Sequence, residues 1–138
     1  ALLVNADKKY IKNISECAKN IGILFQIKDD LLDYSFNKKM GKPLFQDLKE
    51  GKITYPFYFA YKNAKSSEKK ILLNFLGNQR INADKVLNII KNLQGIRKTE
   101  LLAEQFHKNA IIFAGGIKNL KVKKEMIELT NIAYNRDK

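Results

Sequence analysis

From Ala6 to about Phe36, apolar side chains recur at intervals of three and four: Tyr10, Ile11, Ile14, Cys17, Ala18, Ile21, Leu24, Phe25 and Leu32. That spacing predicts one long helix. Around its middle, Ile21, Ile23, Leu24, Phe25 and Ile27 leave little polar circumference, so the helix is expected to be buried in a bundle. Between residues 37 and 52 the period is lost, broken by Asn37, Gly41, Pro43 and Gly51 with charges among them, which predicts a loop. Thr54 then offers an N-cap and Pro56 a first-turn residue for a helix through Phe57, Tyr58, Ala60 and Tyr61. Ser66 or Ser67 would cap a short helix through Ile71, Leu72, Phe75 and Leu76, stopped at Gly77. Asn82 or Asp84 begins another, with Val86, Ile89, Ile90 and Leu93 on one face and Gly95 at its end. The stretch from Ile96 to Ile117 is amphipathic through Leu101, Leu102, Phe106, Ala110 and Phe113, and Gly115-Gly116 weakens its end. A last helix, about Lys121 to Asn135, carries Met126, Leu129, Ile132 and Ala133. Sustained two-residue alternation is absent and no repeat is visible, so the fold class expected is all-α, a helical bundle.

Composition changes this picture little. The chain has 138 residues, the length of one domain, with 45% hydrophobic and 29% charged residues. Its net charge of +12 suits an anionic partner, yet the 26 Lys and Arg are scattered rather than blocked, which favours a solvated surface over a nucleic-acid face. One cysteine, Cys17, excludes an internal disulfide and fits a reducing, cytoplasmic compartment. It has no nearby His and is read as a packing residue; His107 is read as a surface residue. No apolar run is long enough to span a membrane. The chain opens on Ala1, already close to a helical pattern, which suggests a missing N-terminal portion.

The chemistry concentrates in Gln26-Ile-Lys-Asp29-Asp30-Leu-Leu-Asp33. On a helix, Gln26, Asp29, Asp30 and Asp33 stand at i, i+3, i+4 and i+7 and form one stripe. Like charges at i,i+4 cost about 0.2–0.5 kcal/mol a pair on an exposed helix, and more when buried. An exposed acidic face held by salt bridges is the plainer reading, but Ile-Leu-Phe and Leu-Leu frame these carboxylates. Divalent cations are the natural compensation, and oxygen donors without His or Cys suit Mg²⁺, which shares its sphere with water and substrate phosphates. Lys28 faces another way.

Behind the stripe come Gly41-Lys42-Pro43 and Asp47-Leu48-Lys49-Glu50-Gly51-Lys52-Ile53-Thr54-Tyr55-Pro56. Each Gly-Lys pair places a flexible backbone and a point charge where an anion can approach, and Lys52 precedes a helix start that also favours anions. Together the segment resembles the second aspartate-rich region of trans-isoprenyl diphosphate synthases, whose pattern is close to G-x-x-F-Q-x-x-D-D-x-x-D, then G-K, then D-L-x-x-G-K-x-T-x-P. The matching residues are Gly22, Phe25, Gln26, Asp29, Asp30, Asp33, Gly41, Lys42, Asp47, Leu48, Gly51, Lys52, Thr54 and Pro56. Its loop looks most like that of bacterial medium- and long-chain, octaprenyl-type synthases, with Leu44-Phe45-Gln46 where many members have Gly.

The resemblance implies that residues 1–138 form the C-terminal part of a polyprenyl synthase domain with the isoprenoid-synthase fold. It implies Mg²⁺ at Asp29, Asp30 and Asp33, diphosphate held by Lys42 and Lys52, and supporting roles for Gln26 and Asp47. The reaction implied is Mg²⁺-dependent condensation of isopentenyl diphosphate onto an allylic diphosphate, by a homodimer in the full-length form, without nucleic acid, and with a loose membrane-surface association through a long product. The first aspartate-rich motif is absent, so the 138 residues alone are expected to be inactive. Three other readings stand beside this one: a basic helical module for RNA or an acidic partner, a terpene cyclase, and a non-catalytic subunit of a heteromeric prenyl synthase. The first leaves the carboxylate stripe unexplained. The Gly-Lys-x-Thr-x-Pro segment argues against the second, and the intact aspartates against the third.

Overall fold

A computed structural model describes residues 7–34, 45–78 and 82–136. Among them are seven helices and no strand: α1 (Lys8–Leu32), α2 (Gln46–Lys49), α3 (Tyr55–Asn63), α4 (Ser66–Phe75), α5 (Ala83–Asn92), α6 (Gly95–Gly115) and α7 (Leu120–Tyr134). The all-α expectation holds. They form two compact units, one drawn from Ala1–Lys28 and Leu102–Lys138, the other from Asp29–Leu101.

In the first unit, α1 packs on α6 and α7 around Cys17, Ala110, Ala114 and Ile117, with Tyr10, Ile14, Ile21, Phe113, Val122, Met126 and Ile127 about them. Ala110 and Ala114, four apart on one helix face, keep that face shallow enough for close approach. The Cys17 thiol donates to the Ala110 carbonyl at 3.3 Å, and Asn13 Nδ2 donates to the Gly116 carbonyl at 2.8 Å. Cys17 is therefore the packing residue expected. His107 is half-buried, its Nε2 3.0 Å from Asn131 Oδ1 and its ring centroid 4.5 Å from that of Tyr134.

The second unit buries Tyr34, Phe45, Leu48, Phe57, Ala60, Leu72, Phe75, Val86 and Ile90 in one core. Phe45 sits edge-on to both Tyr34 and Phe75, at 5.2 and 5.9 Å between centroids. Its φ of 62° lies in the left-handed region, the conformation in which a glycine would be at ease. The burial of its ring, 1% exposed, offsets that strain.

Several boundaries differ from those the sequence suggested. The first helix ends at Leu32, not near Phe36, and residues 46–49 of the expected loop close one helical turn. Lys65, not a serine, takes the N-cap position of α4, and its N–H donates to Glu68 Oε2 at 2.8 Å. Gly95 begins α6 instead of ending α5: a Cβ there would stand 2.3 Å from the Pro56 carbonyl oxygen, so close helix packing demands the glycine. Phe25, Leu101, Leu129 and Ile132 lie on predicted apolar faces yet are about half exposed or more, at 48%, 47%, 51% and 61%. Of the aromatics after Thr54, Phe57 is core and Tyr58 is exposed. Lys28 is buried with its ammonium 5.5 Å from the Tyr134 ring centroid.

Candidate functional site

The stripe is set by α1, but its four members meet different surroundings. Gln26 and Asp29 are exposed, Asp33 is half-buried and Asp30 is only 8% exposed. The apolar residues that frame the stripe in sequence therefore do not bury it evenly: Asp30 is buried where the start of α3 meets it, and Gln26 and Asp29 are exposed. Asp30 Oδ2 accepts the Tyr55 amide at 2.8 Å. Asp33 Oδ1 accepts a long bond, 3.4 Å, from the Asp47 amide. Asp33 Oδ2 is buried and has no hydrogen-bond partner among the described residues. Burial pushes the Asp33 carboxyl up from its ordinary value, and the neighbouring Asp47 and Asp30 charges push the same way, partly offset by backbone donors.

The turn after α2 brings Asp47 and Lys52 together. Lys52 Nζ lies 3.0 Å from Asp47 Oδ1 and 2.8 Å from Glu50 Oε2. These bonds, to Glu50 first and Asp47 second, hold its ammonium well above the usual lysine range. Glu50 also accepts from Gln46 Nε2 at 2.7 Å, and its carboxyl is lowered chiefly by Lys52. Gly51 has φ +84°, which only glycine adopts freely, and it ends α2 by donating to the Leu48 carbonyl at 3.0 Å. Its amide is thus committed to the turn and does not face an anion, contrary to the reading from sequence; the Gly77 amide donates to the same carbonyl at 2.9 Å. Lys42, with Gly41 and Pro43, lies outside the described residues.

Two participants escaped the sequence reading. Tyr34, 7% exposed, places its hydroxyl 2.5 Å from Thr54 Oγ1. Burial and the carboxylates of Asp33, Asp30 and Asp47 push its phenol far up, with the Thr54 bond opposing, so the hydroxyl stays protonated. Glu50 is the second, a carboxylate competing for Lys52. Tyr34 follows Asp33 directly in the chain, and that adjacency was the available signal.

No three His, Cys, Asp or Glu residues among those described already stand as a closed metal cage. The donors present still fit a hard cation: they are carboxylate oxygens only, and one of them is buried with no hydrogen-bond partner among the described residues.

The family model for polyprenyl synthetase matches residues 1–93. The chain belongs to that family. It is 36% identical over 117 residues to a geranylgeranyl diphosphate synthase of Sulfolobus acidocaldarius, covering 80% of this chain and 34% of that protein. It is equally 36% identical, over 112 residues, to a mitochondrial hexaprenyl pyrophosphate synthase of Saccharomyces cerevisiae, covering 80% of this chain and 23% of the yeast protein. Among solved structures, a geranylgeranyl pyrophosphate synthetase from Pyrococcus horikoshii superposes with a TM-score of 0.86 at 28% identity, over 95% of this chain and 41% of that one. The all-α fold is thus that of the isoprenyl synthases. The chain spans about a third or less of the length of these two curated relatives.

Proposed function

We propose that this chain supplies the metal- and diphosphate-binding wall of a trans-prenyltransferase that joins isopentenyl diphosphate to an allylic diphosphate. The observation that carries the reading is Asp33 Oδ2, a buried carboxylate oxygen without a hydrogen-bond partner among the described residues, next to the charges of Asp30 and Asp47. Such an arrangement is costly until a cation arrives. Asp29, Asp30 and Asp33 are the residues toward which Mg²⁺ would be drawn, with Gln26 and Asp47 as polar support. Bound there, Mg²⁺ neutralises the charge that gathers on the departing diphosphate.

Lys52 and Lys42 hold the diphosphate. In the ligand-free chain Lys52 is occupied by Asp47 and Glu50, which keep it charged and beside the turn; a diphosphate would take over from those carboxylates. An exposed pair of this kind is weak, so the exchange is easy.

The 138 residues correspond to the C-terminal part of the synthase domain and do not elongate prenyl chains alone. The complete enzyme acts as a homodimer in the cytoplasm and meets the membrane surface through its product. The scattered basic residues support this reading over an RNA-binding module, which leaves Asp33 unexplained. Melting the chain with and without Mg²⁺ and inorganic diphosphate is the test. The pair should raise the melting temperature of the parent and raise that of Lys52→Ala distinctly less. Equal shifts in both would overturn the role of Lys52, and no shift in the parent would overturn the site. Elongation of farnesyl diphosphate by the isolated chain would refute the claim that it is inactive alone.

A further inference from the structure

We infer that Asp30 has a task beyond the cation site: as a positioning residue it caps α3 and thereby fixes the Lys52–Thr54 connection to the aspartate helix. The inference rests on the metal and diphosphate site proposed above and separates the duties of its three carboxylates.

The first turn of any helix leaves backbone donors without intrahelical partners, and a Thr in the N-cap position ordinarily accepts one of them. Thr54 occupies that position in α3, with φ −93° and ψ 160°, yet its side chain makes no capping bond. Its hydroxyl, 2% exposed, is paired with Tyr34 instead. The Tyr55 amide is another of these first-turn donors, and Asp30 Oδ2 reaches it from α1 at 2.8 Å. The cap of α3 is therefore supplied from 25 residues earlier in the chain.

Charge and burial explain why a carboxylate suits this place. A buried Asp is costly unless its charge is met by donors, and the start of α3 presents both an amide and the positive end of the helix dipole. Asp33 Oδ2 is buried with no hydrogen-bond partner among the described residues, so it has an oxygen to give a cation. Asp30 has one oxygen committed to α3. Because Lys52 lies three residues before Tyr55, anchoring that amide limits where the lysine can stand relative to the stripe.

Asparagine separates the two tasks, because its amide oxygen can still accept from Tyr55 but carries no charge for a cation. The 138-residue chain with Asp30→Asn, Asp30→Ala and Asp33→Asn is compared by amide hydrogen exchange at Tyr55, referred to amides in the middle of α3, and by calorimetric titration with inorganic diphosphate in Mg²⁺. Asp30→Asn should keep Tyr55 protected, because its amide oxygen still accepts from that amide. Asp30→Ala should speed Tyr55 exchange by about tenfold or more, as expected for loss of a charge-assisted bond. Asp33→Asn should leave Tyr55 protected and weaken binding by about tenfold or more. Unchanged Tyr55 protection in Asp30→Ala, or Tyr55 exchange as fast in Asp30→Asn as in Asp30→Ala, overturns the inference. If the parent binds no diphosphate, the proposed site fails, and the Tyr55 exchange of the two Asp30 variants still decides the cap. If Asp30→Ala does not fold, Asp30→Asn decides alone: folding with Tyr55 protected supports the cap, and loss of that protection refutes it.

Discussion

Replacing Asp33 by Asn should make the ligand-free chain more stable and the Mg²⁺-diphosphate response weaker. Asp33 Oδ1 has one long bond, from the Asp47 amide, and Oδ2 is buried without a partner among the described residues. A polar group in that condition costs about 1–3 kcal/mol. An asparagine can keep its oxygen on the Asp47 amide and turn its NH₂ toward the Asp30 and Asp47 carboxylates, converting repulsion into donation. Half-burial leaves part of the cost screened, so about 1 kcal/mol is the gain to expect, or about 3–4 °C in a chain of this size. With ligand at about a hundred times its dissociation constant, the parent gains about 2.7 kcal/mol from binding, and Asp33→Asn should lose most of it. The pH dependence follows from the raised carboxyl. A folded value above the ordinary 3.8 means the parent is penalised once Asp33 ionises, so its stability falls as pH rises from 3.8 through the folded value. The advantage of Asp33→Asn should therefore be full at neutral pH and vanish below about pH 4. Melts followed by circular dichroism between pH 3 and 7, with and without Mg²⁺ and diphosphate, check both. A variant that melts lower than the parent without ligand, yet shifts as much with it, would refute the reasoning.

Three further outcomes are expected. Gly95→Ala places a methyl 2.3 Å from the Pro56 carbonyl oxygen and 3.2 Å from Ala60 Cβ, forcing α6 away from α3; urea melts should show about 1–3 kcal/mol lost. Phe45→Ala removes a ring that touches Tyr34 and Phe75 and leaves the residue in the left-handed region, so about 3–4 kcal/mol should disappear and near-ultraviolet dichroism should flatten. Burial pushes the Cys17 thiol up, with only a weak opposing bond from Thr130, so iodoacetamide at pH 8 should label native chain far more slowly than urea-unfolded chain.

The loop where many relatives carry Gly shows how reading and structure part company. Leu44-Phe45-Gln46 looked like a departure in backbone freedom. In the fold, Phe45 keeps the glycine-like conformation and offsets its strain with burial between two rings. Gly51 teaches the reverse: it was singled out as an anion contact, and its amide closes the turn on Leu48. The first outcome depends on rings 11 and 30 residues away, which spacing along the chain does not report; the second depends on a turn whose hydrogen bond to Leu48 the spacing of Gly-Lys pairs does not reveal.

The seven helices differ in the same way. Periods of three and four predicted six of them, because apolar spacing is a local consequence of 3.6 residues per turn. The four residues of α2 were too few to carry a period. The exposure of Phe25, Leu129 and Ile132 was also hidden, since an apolar stripe does not say how much of it finds a partner. For the site, the sequence by itself determined which side chains share the stripe and which chemistry they suit: one helical face, oxygen donors and Gly-Lys turns behind them. Tertiary structure alone decided how each aspartate is placed. Asp29 is exposed, Asp30 is bound to the start of α3, and Asp33 Oδ2 is buried with no hydrogen-bond partner among the described residues. Helical periodicity is set by adjacent residues, whereas burial and hydrogen-bond satisfaction are set by whichever segment the fold lays against them.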